Sequence, residues 1–230
     1  MGIRENIAYI KKRIEDACKR AGRSPNEIVL MGVTKMVAPE YINEAIDEGI
    51  EVIGENRVQE ARDKFDKVKK GIKWHMIGPL QVNKVKYAVH IFDMIESLES
   101  LKLADEIEKR AVSLGRPMEV LVEVKISFEE TKHGISPSDL IPFLEKLSKY
   151  KYIKVKGLMT MAPLFDDPEL TRPYFRKTKE LFDKVKEMNI PNIEMEILSM
   201  GMSGDFEIAI EEGSTLIRVG RAIFQDVYKK

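Results

Sequence analysis

The sequence predicts an α/β fold: one (β/α)8 TIM barrel preceded by an extra N-terminal helix. Three observations carry that prediction. From Ile28 onward, short apolar runs alternate with amphipathic helical stretches, the pattern of parallel strands joined by right-handed crossovers. Eight such units can be counted, the number that closes a barrel. No GxGxxG follows the first strand, which weighs against an open doubly wound sheet, the alternative architecture. The 230 residues, 43% of them hydrophobic, suit one such barrel. No linker, short-period repeat or low-complexity tract divides them, so residues 1–230 are read as one domain.

The first helix carries Ile3, Ile7, Ile10, Ile14, Ala17 and Ala21 at spacings of three and four, and Gly22 stops it. IVLMGVT (Ile28 to Thr34) reads as the first strand, and PEYINEAIDEG as a helix with Pro39 near its start. EVIGEN is the second strand; the helix after it sets Val58, Ala61, Phe65 and Val68 on one face. WHMIG is the third strand and VNKVKYAVH its helix. DMIESL is followed by a helix with Leu103, Ile107, Ala111 and Leu114 in register. MEVLVEVKI is the fifth strand, and Ser136-Pro137 opens a helix through Leu140, Leu144 and Leu147. IKVKGLMTM precedes a long helix after Pro168 with Tyr174, Thr178, Leu181, Val185 and Met188 in a stripe. MEILSMG, the short helix DFEIAIEEG and the last strand LIRVG complete the count.

Charge narrows the function classes. Lys plus Arg and Asp plus Glu number 38 each, so nothing in the balance favours a nucleic acid or a membrane surface. At 33%, charged residues exceed the roughly 25% of ordinary domains, which leans toward a heat-adapted surface rich in ion pairs. Cys18 is alone, near the apolar stripe of the first helix, and reads as a packing residue in a reducing cytoplasm. The N-terminus lacks the apolar stretch of a signal peptide, and no run approaches the roughly 18 residues of a membrane span. His75, His90 and His133 show no metal-ligand spacing.

In a barrel of this kind, chemistry collects at the C-terminal ends of the strands. There the first strand ends on Lys35, the second on Glu55 and Asn56, and the third on His75 and Gly78. The seventh ends in SMGMSGD, which offers Ser199, Met200, Ser203 and flexible glycines ahead of a helix N-terminus, a ready anion site. The eighth ends in RVGR: Arg218 and Arg221 are permanent cations with fixed donors, and Gly220 lets a phosphate approach the backbone. Each piece has an ordinary reading as well: a lysine that snorkels to solvent, a glycine turn, a surface ion pair, a Met159/Met161 pair in the core. Their joint placement on one face favours chemistry. A lysine amine can attack a carbonyl and form a Schiff base, and a phosphorylated aldehyde such as pyridoxal phosphate would satisfy all three features.

The segments VTK at Lys35, GENRVQE, WHMIGPLQVNK, TKHGI, GLMTMAP, SMGMSGDFEIAI and RVGRAIF, in that order, resemble the pyridoxal phosphate homeostasis protein family over nearly the whole chain. The resemblance implies a fold-type III barrel similar to the N-terminal domain of alanine racemase, with pyridoxal 5'-phosphate held on Lys35 as an internal aldimine. It implies phosphate contacts from the Ser199 to Ser203 loop and the Gly220-Arg221 stretch. It also implies Asn56 beside the ring or its hydroxyl side, and Arg218 near the pyridine nitrogen. A permanent cation there disfavours ring protonation and restrains carbanion chemistry. The role of Lys132 within TKHGI stays open. Arg221, Gln225 and Lys125 depart from the Thr or Ser, Gly and Asn expected at those positions.

Two functions follow from the resemblance. The first is a cytoplasmic carrier and regulator of pyridoxal phosphate with little or no catalysis. Its partners would be the cofactor and cofactor-requiring apoenzymes, and it would be a monomer or weak dimer. The second is an amino-acid racemase, which needs acid–base groups on both faces of the substrate carbon. Only about ten residues follow the eighth strand, too few for the second domain of alanine-racemase-like enzymes, and this favours the carrier.

Overall fold

The computed structural model describes residues 2–127, 133–225 and 227. Helix α1 (Ile3–Ala21) buries Ile3, Ile7, Ile10, Ile14, Ala17 and Cys18. Gly22 closes it at φ 66°, and the Arg23 N–H reaches back to the Cys18 carbonyl at 2.9 Å, a left-handed cap that satisfies the last turn.

Eight parallel strands then close a barrel in sequence order. They are β1 (Val29–Val33), β2 (Val52–Glu55), β3 (Lys73–Met76), β4 (Met94–Leu98), β5 (Met118–Val124), β6 (Ile153–Thr160), β7 (Ile193–Ser199) and β8 (Leu216–Val219). Closure is direct: β1 pairs with β8 from Val29 opposite Leu216 to Gly32 opposite Val219. Around the barrel lie α2 (Pro39–Asp47), α3 (Val58–Phe65), α4 (Val85–Ile91), α5 (Leu101–Leu114), α6 (Leu140–Leu147), α7 (Arg172–Met188) and α8 (Phe206–Glu211). The expected eight-fold alternation is therefore present, and β8 is followed by a further short helix, α9 (Arg221–Phe224).

The main core lies between the strands and the surrounding helices, where Ile53, Val122, Leu158 and Ile217 meet Ile42, Leu103, Leu144 and Phe206. The barrel interior holds two small apolar clusters, Met31 with Val52 and Leu216, and Met94 with Leu121 and Met159; Ile197 packs on both. Strand side chains repeat with period two, so residues two positions further on stand one layer nearer the C-terminal end. That layer is polar: Glu96, Glu123, Ser199 and Arg218 follow Met94, Leu121, Ile197 and Leu216 at this spacing, and all are buried. The apolar floor and polar ceiling of one barrel are thus set by consecutive inward positions of the same strands.

Two helix faces differ from the periodic reading. On α7 the buried residues are Phe175, Thr178, Phe182 and Val185, a stripe rotated by about one residue from the Tyr174–Leu181–Met188 line. On α3, Val58 and Ala61 turn inward as expected, but Phe65 is 39% exposed and Lys64 is buried instead. The lysine wins that place because its ammonium finds three acceptors there, described below. The helix expected from Ser136-Pro137 begins at Leu140, after a turn in which the Ser136 hydroxyl donates to Asp139 at 2.7 Å.

Candidate functional site

The C-terminal ends of the strands surround a cavity of about 410 Å³. Its size falls within the range of small-molecule pockets. Lys35, Asn56, Ser203, Arg218, Gly220 and Arg221 all line it, brought from the ends of β1, β2, β7 and β8. Ser199 and Met200 do not. Met200 is fully buried in the main core, and its N–H donates to the Leu216 carbonyl at 3.1 Å. Ser199 is also fully buried, and its hydroxyl is committed to two side chains below the cavity floor. Of the SMGMSGD loop it is Met202, Ser203, Gly204 and Asp205 that line the cavity. Gly201, at φ 94°, makes the turn: a Cβ there would lie 2.5 Å from the Ala209 Cβ, so only glycine lets the loop fold onto α8.

Lys35 is exposed at the rim, between a buried Thr34 and a Met36 in the left-handed region at φ 60°. Asn56 is set by a close approach: a Cβ on Gly78 would stand 2.4 Å from the Asn56 carbonyl oxygen. The amides of Ser203, Gly204 and Arg221 have no acceptor among the described residues, while the Ser203 hydroxyl accepts from the Ala222 N–H at 3.4 Å. A Cβ at Gly204 would meet nothing within 4 Å, so protein packing does not account for the missing side chain. Apolar walls come from Val33, Ile77, Met161, Leu164 and Phe165.

Beneath the cavity runs a buried polar chain. Arg218 donates from Nη1 to the Ser199 hydroxyl at 2.6 Å and from Nη2 to the Thr160 carbonyl at 2.8 Å. Ser199 donates to Glu96 Oε2 at 2.6 Å, and Glu96 Oε1 lies 2.7 Å from His75 Nδ1. Burial alone would raise the Glu96 carboxyl, but His75, Arg218 and Ser199 together hold it below the ordinary carboxylate value. Burial lowers Arg218, and Glu96, Glu123 and Asp205 push back. Glu123 has weaker support: burial, then the neighbouring Glu99, carry it up to about 7 against Arg218 and His133. Asp205, on the cavity wall, is also raised by burial while its carboxylate accepts from the Met202 N–H at 2.6 Å.

Sequence reasoning noted His75 only as a strand end and missed Glu96, Glu123, Asp205 and Lys64. The signal for two of them was present: a glutamate two residues past an inward apolar residue of a strand, in MIESL and in MEVLVEV. Of the three departures from the resembled pattern, Arg221 lines the cavity, Lys125 is not among its lining residues, and Gln225 donates to Asn6 Oδ1 at 3.1 Å. Lys132 lies outside the described residues.

A parallel eight-stranded barrel with a lysine after β1 and backbone donors after β7 and β8 defines a class. The chain belongs to the family described as alanine racemase, N-terminal domain, which matches residues 3–227, and within it to the pyridoxal phosphate homeostasis proteins. It is 45% identical over 221 residues to the pyridoxal phosphate homeostasis protein of Aquifex aeolicus (strain VF5), covering 96% of each chain. Among solved structures, PipY of Synechococcus elongatus PCC7942 with PLP bound superposes with a TM-score of 0.85 at 33% identity, covering 96% of this chain and 99% of that one. The alanine racemase of Clostridium difficile 630 in complex with cycloserine shares the fold with a TM-score of 0.77 at 18% identity, and this chain covers 59% of it.

Proposed function

We propose that this protein binds pyridoxal 5'-phosphate covalently through Lys35 and acts in the handling of the cofactor inside the cytoplasm, with little or no catalysis of its own. The observation that carries the reading is that Lys35 lines the same cavity as Ser203, Gly204 and Arg221, whose amides have no acceptor among the described residues. When bound, pyridoxal phosphate supplies an aldehyde that links to amines and a ring that withdraws electrons from them. The chain's groups fit it: Ser203, Gly204 and Arg221 would hold the phosphate by hydroxyl, backbone and guanidinium, with Gly220 leaving room beside them. Arg218 would hold a cation toward the ring and disfavour its protonation. Asn56 and the apolar walls would fix the ring's orientation.

Carriage is favoured over racemisation by what lines the cavity. Among the described lining residues there is no tyrosine, histidine or cysteine to move a second proton opposite Lys35. Of the two carboxylates that line it, Asp205 accepts from the Met202 N–H through Oδ1 and Asp166 is exposed to solvent. The homeostasis protein of Aquifex aeolicus is matched over 96% of its length. Cofactor-requiring apoenzymes are the partners such a carrier would serve, and a monomer or weak dimer suffices for it. Among the described residues, no helix is long and apolar enough to cross a membrane.

The test is the visible absorption of the purified protein with added pyridoxal phosphate, before and after borohydride, beside Lys35→Ala. A band in the wild type that reduction bleaches, absent from a folded Lys35→Ala, is expected. A reducible covalent adduct that persists in Lys35→Ala would overturn the assignment. Chiral chromatography of alanine and serine tests the catalytic alternative: robust turnover lost in Lys35→Ala would replace carriage by racemisation.

A further inference from the structure

Lys64 lies off the expected Val58–Ala61–Phe65–Val68 face of α3, yet it is buried beside the chain segment that carries Lys35. Its ammonium has three protons, and all three are donated: to the Thr34 carbonyl at 2.7 Å, to Glu55 Oε1 at 2.9 Å and to Glu60 Oε1 at 2.6 Å. The two carboxylates carry the contacts onward. Glu55 Oε1 accepts from the Thr34 hydroxyl at 2.7 Å, and Glu60 Oε1 accepts from the Met36 N–H. The Thr34 peptide is held further by its N–H to the Gly54 carbonyl at 3.0 Å and by the Val37 N–H to its own carbonyl at 3.0 Å. Every bond of the cluster to β1 and its exit thus ends one residue before or one residue after Lys35.

This is a large investment of buried charge for a turn. A lysine and a glutamate leave water, and α3 leaves Phe65 partly exposed at the neighbouring position. Met36 is locked in a left-handed conformation that residues with a side chain rarely adopt. The result is a Lys35 Cα whose two flanking peptides are both held by hydrogen bonds, although the side chain itself stands at the open rim. Covalent capture of an aldehyde joins the Lys35 nitrogen to the aldehyde carbon; the carbonyl oxygen leaves as water, and the surplus ammonium proton goes to solvent. Its rate depends on how often the amine meets the carbon at bonding distance, and a displaced reacting group costs rate steeply.

We propose that Lys64, Glu55 and Glu60 are positioning residues: they clamp the peptides on both sides of Lys35 and so set the rate at which it captures pyridoxal phosphate. The inference rests on the reading of Lys35 as the attachment point and adds to it the groups that aim the amine.

Glu60 gives the mildest perturbation, because it is only partly buried and the remaining two acceptors still hold Lys64. The experiment compares wild type, Glu60→Ala, Glu60→Gln and Lys35→Ala, first stripped of cofactor and then mixed rapidly with pyridoxal phosphate. Hydrogen exchange of the Met36 amide is read on the stripped protein, capture rate from the absorbance change, and fold from the melting temperature. Glu60→Ala is expected to speed exchange at Met36 and slow capture by about 10- to 100-fold, the scale of a small misplacement. Glu60→Gln, which keeps an oxygen acceptor for both donors, should restore most of that rate. Faster exchange at Met36 with an unchanged capture rate would show a structural clamp only and overturn the proposal. So would equal slowing in Glu60→Ala and Glu60→Gln. Failure of the wild type to capture at all, matching Lys35→Ala, would instead remove the attachment assignment and this inference with it. Lys64→Met serves as a second probe where it folds, with the same expected direction.

Discussion

Two charge networks in this molecule use the same residue types to different ends. The inner one, His75–Glu96–Ser199–Arg218, is enclosed by the barrel and touches the cavity through Arg218. The outer one ties α1, α7 and α8 together. Arg172 reaches Glu169, Glu211 and Glu212 at 2.7, 2.7 and 3.0 Å, and Arg20 and Arg13 from α1 reach Glu211 and Glu207 at 2.6 Å each. The outer network has more bonds, yet it has less to lose. Its carboxylates are shared among several cations, so Glu211 keeps Arg20 and Glu212 keeps Arg176 when Arg172 is lost, and pairs open to water contribute roughly 0–1 kcal/mol each. Nothing replaces a bond inside the barrel, so removing one partner leaves a stranded charge. Counting ion pairs would rank the two networks in the wrong order.

The sharpest way to break this contrast is Glu96→Gln. It leaves Arg218 without the buried carboxylate it reaches through Ser199 and is expected to cost about 3–5 kcal/mol in chemical denaturation. A cost below about 1 kcal/mol would mean that the inner chain is solvated and no different from the outer one.

Glu123 sharpens the comparison within the inner layer, because it lacks the partners that Glu96 has. Its folded carboxyl is raised to about 7, so over the interval from the ordinary carboxylate value up to 7 the folded state holds a proton that the unfolded state has lost. Stability therefore falls as pH rises through that interval and levels off above it. Glu123→Gln should flatten this dependence: little difference from wild type near pH 5, and a gain of about 1–3 kcal/mol near pH 8. Parallel stability–pH curves for the two proteins would place Glu123 in a better-compensated setting than its neighbours indicate.

The smallest effect belongs to the outer network. Arg172→Ala removes bonds to three carboxylates and is expected to cost no more than about 1 kcal/mol at 25 °C. The loss should grow near the melting temperature, where desolvation of charges is less costly. A loss at 25 °C matching that of Glu96→Gln would erase the distinction.

Much of this was legible before any coordinates. The alternation of apolar runs with helical stretches placed all eight strands to within a few residues, because a parallel strand buried on both sides reads as a near-continuous apolar run. Lys35, Asn56, Ser203, Arg218, Gly220 and Arg221 were legible as strand-end residues, since the barrel's topology brings all such ends to one face. Their use in holding a cofactor is the proposal made above. Ser199 and Met200 show where that reasoning stops: a motif read along the chain does not say which of its residues turn toward the cavity and which turn toward the core.

Local pattern and composition determined the element order, the closed parallel architecture and the end of the barrel where chemistry-bearing residues collect. These follow from period, turn residues and handedness, which act over neighbouring residues. Only the tertiary structure decided that Lys64 goes inward and Phe65 outward, that Ser199 serves Arg218 and Glu96 below the cavity, and that Glu96 and Glu123 meet such different surroundings. A buried charge is tolerated only where partners surround it, and those partners come from other strands: Ser199 stands 103 residues from Glu96 and 19 from Arg218. No window along the chain contains that information until the barrel closes.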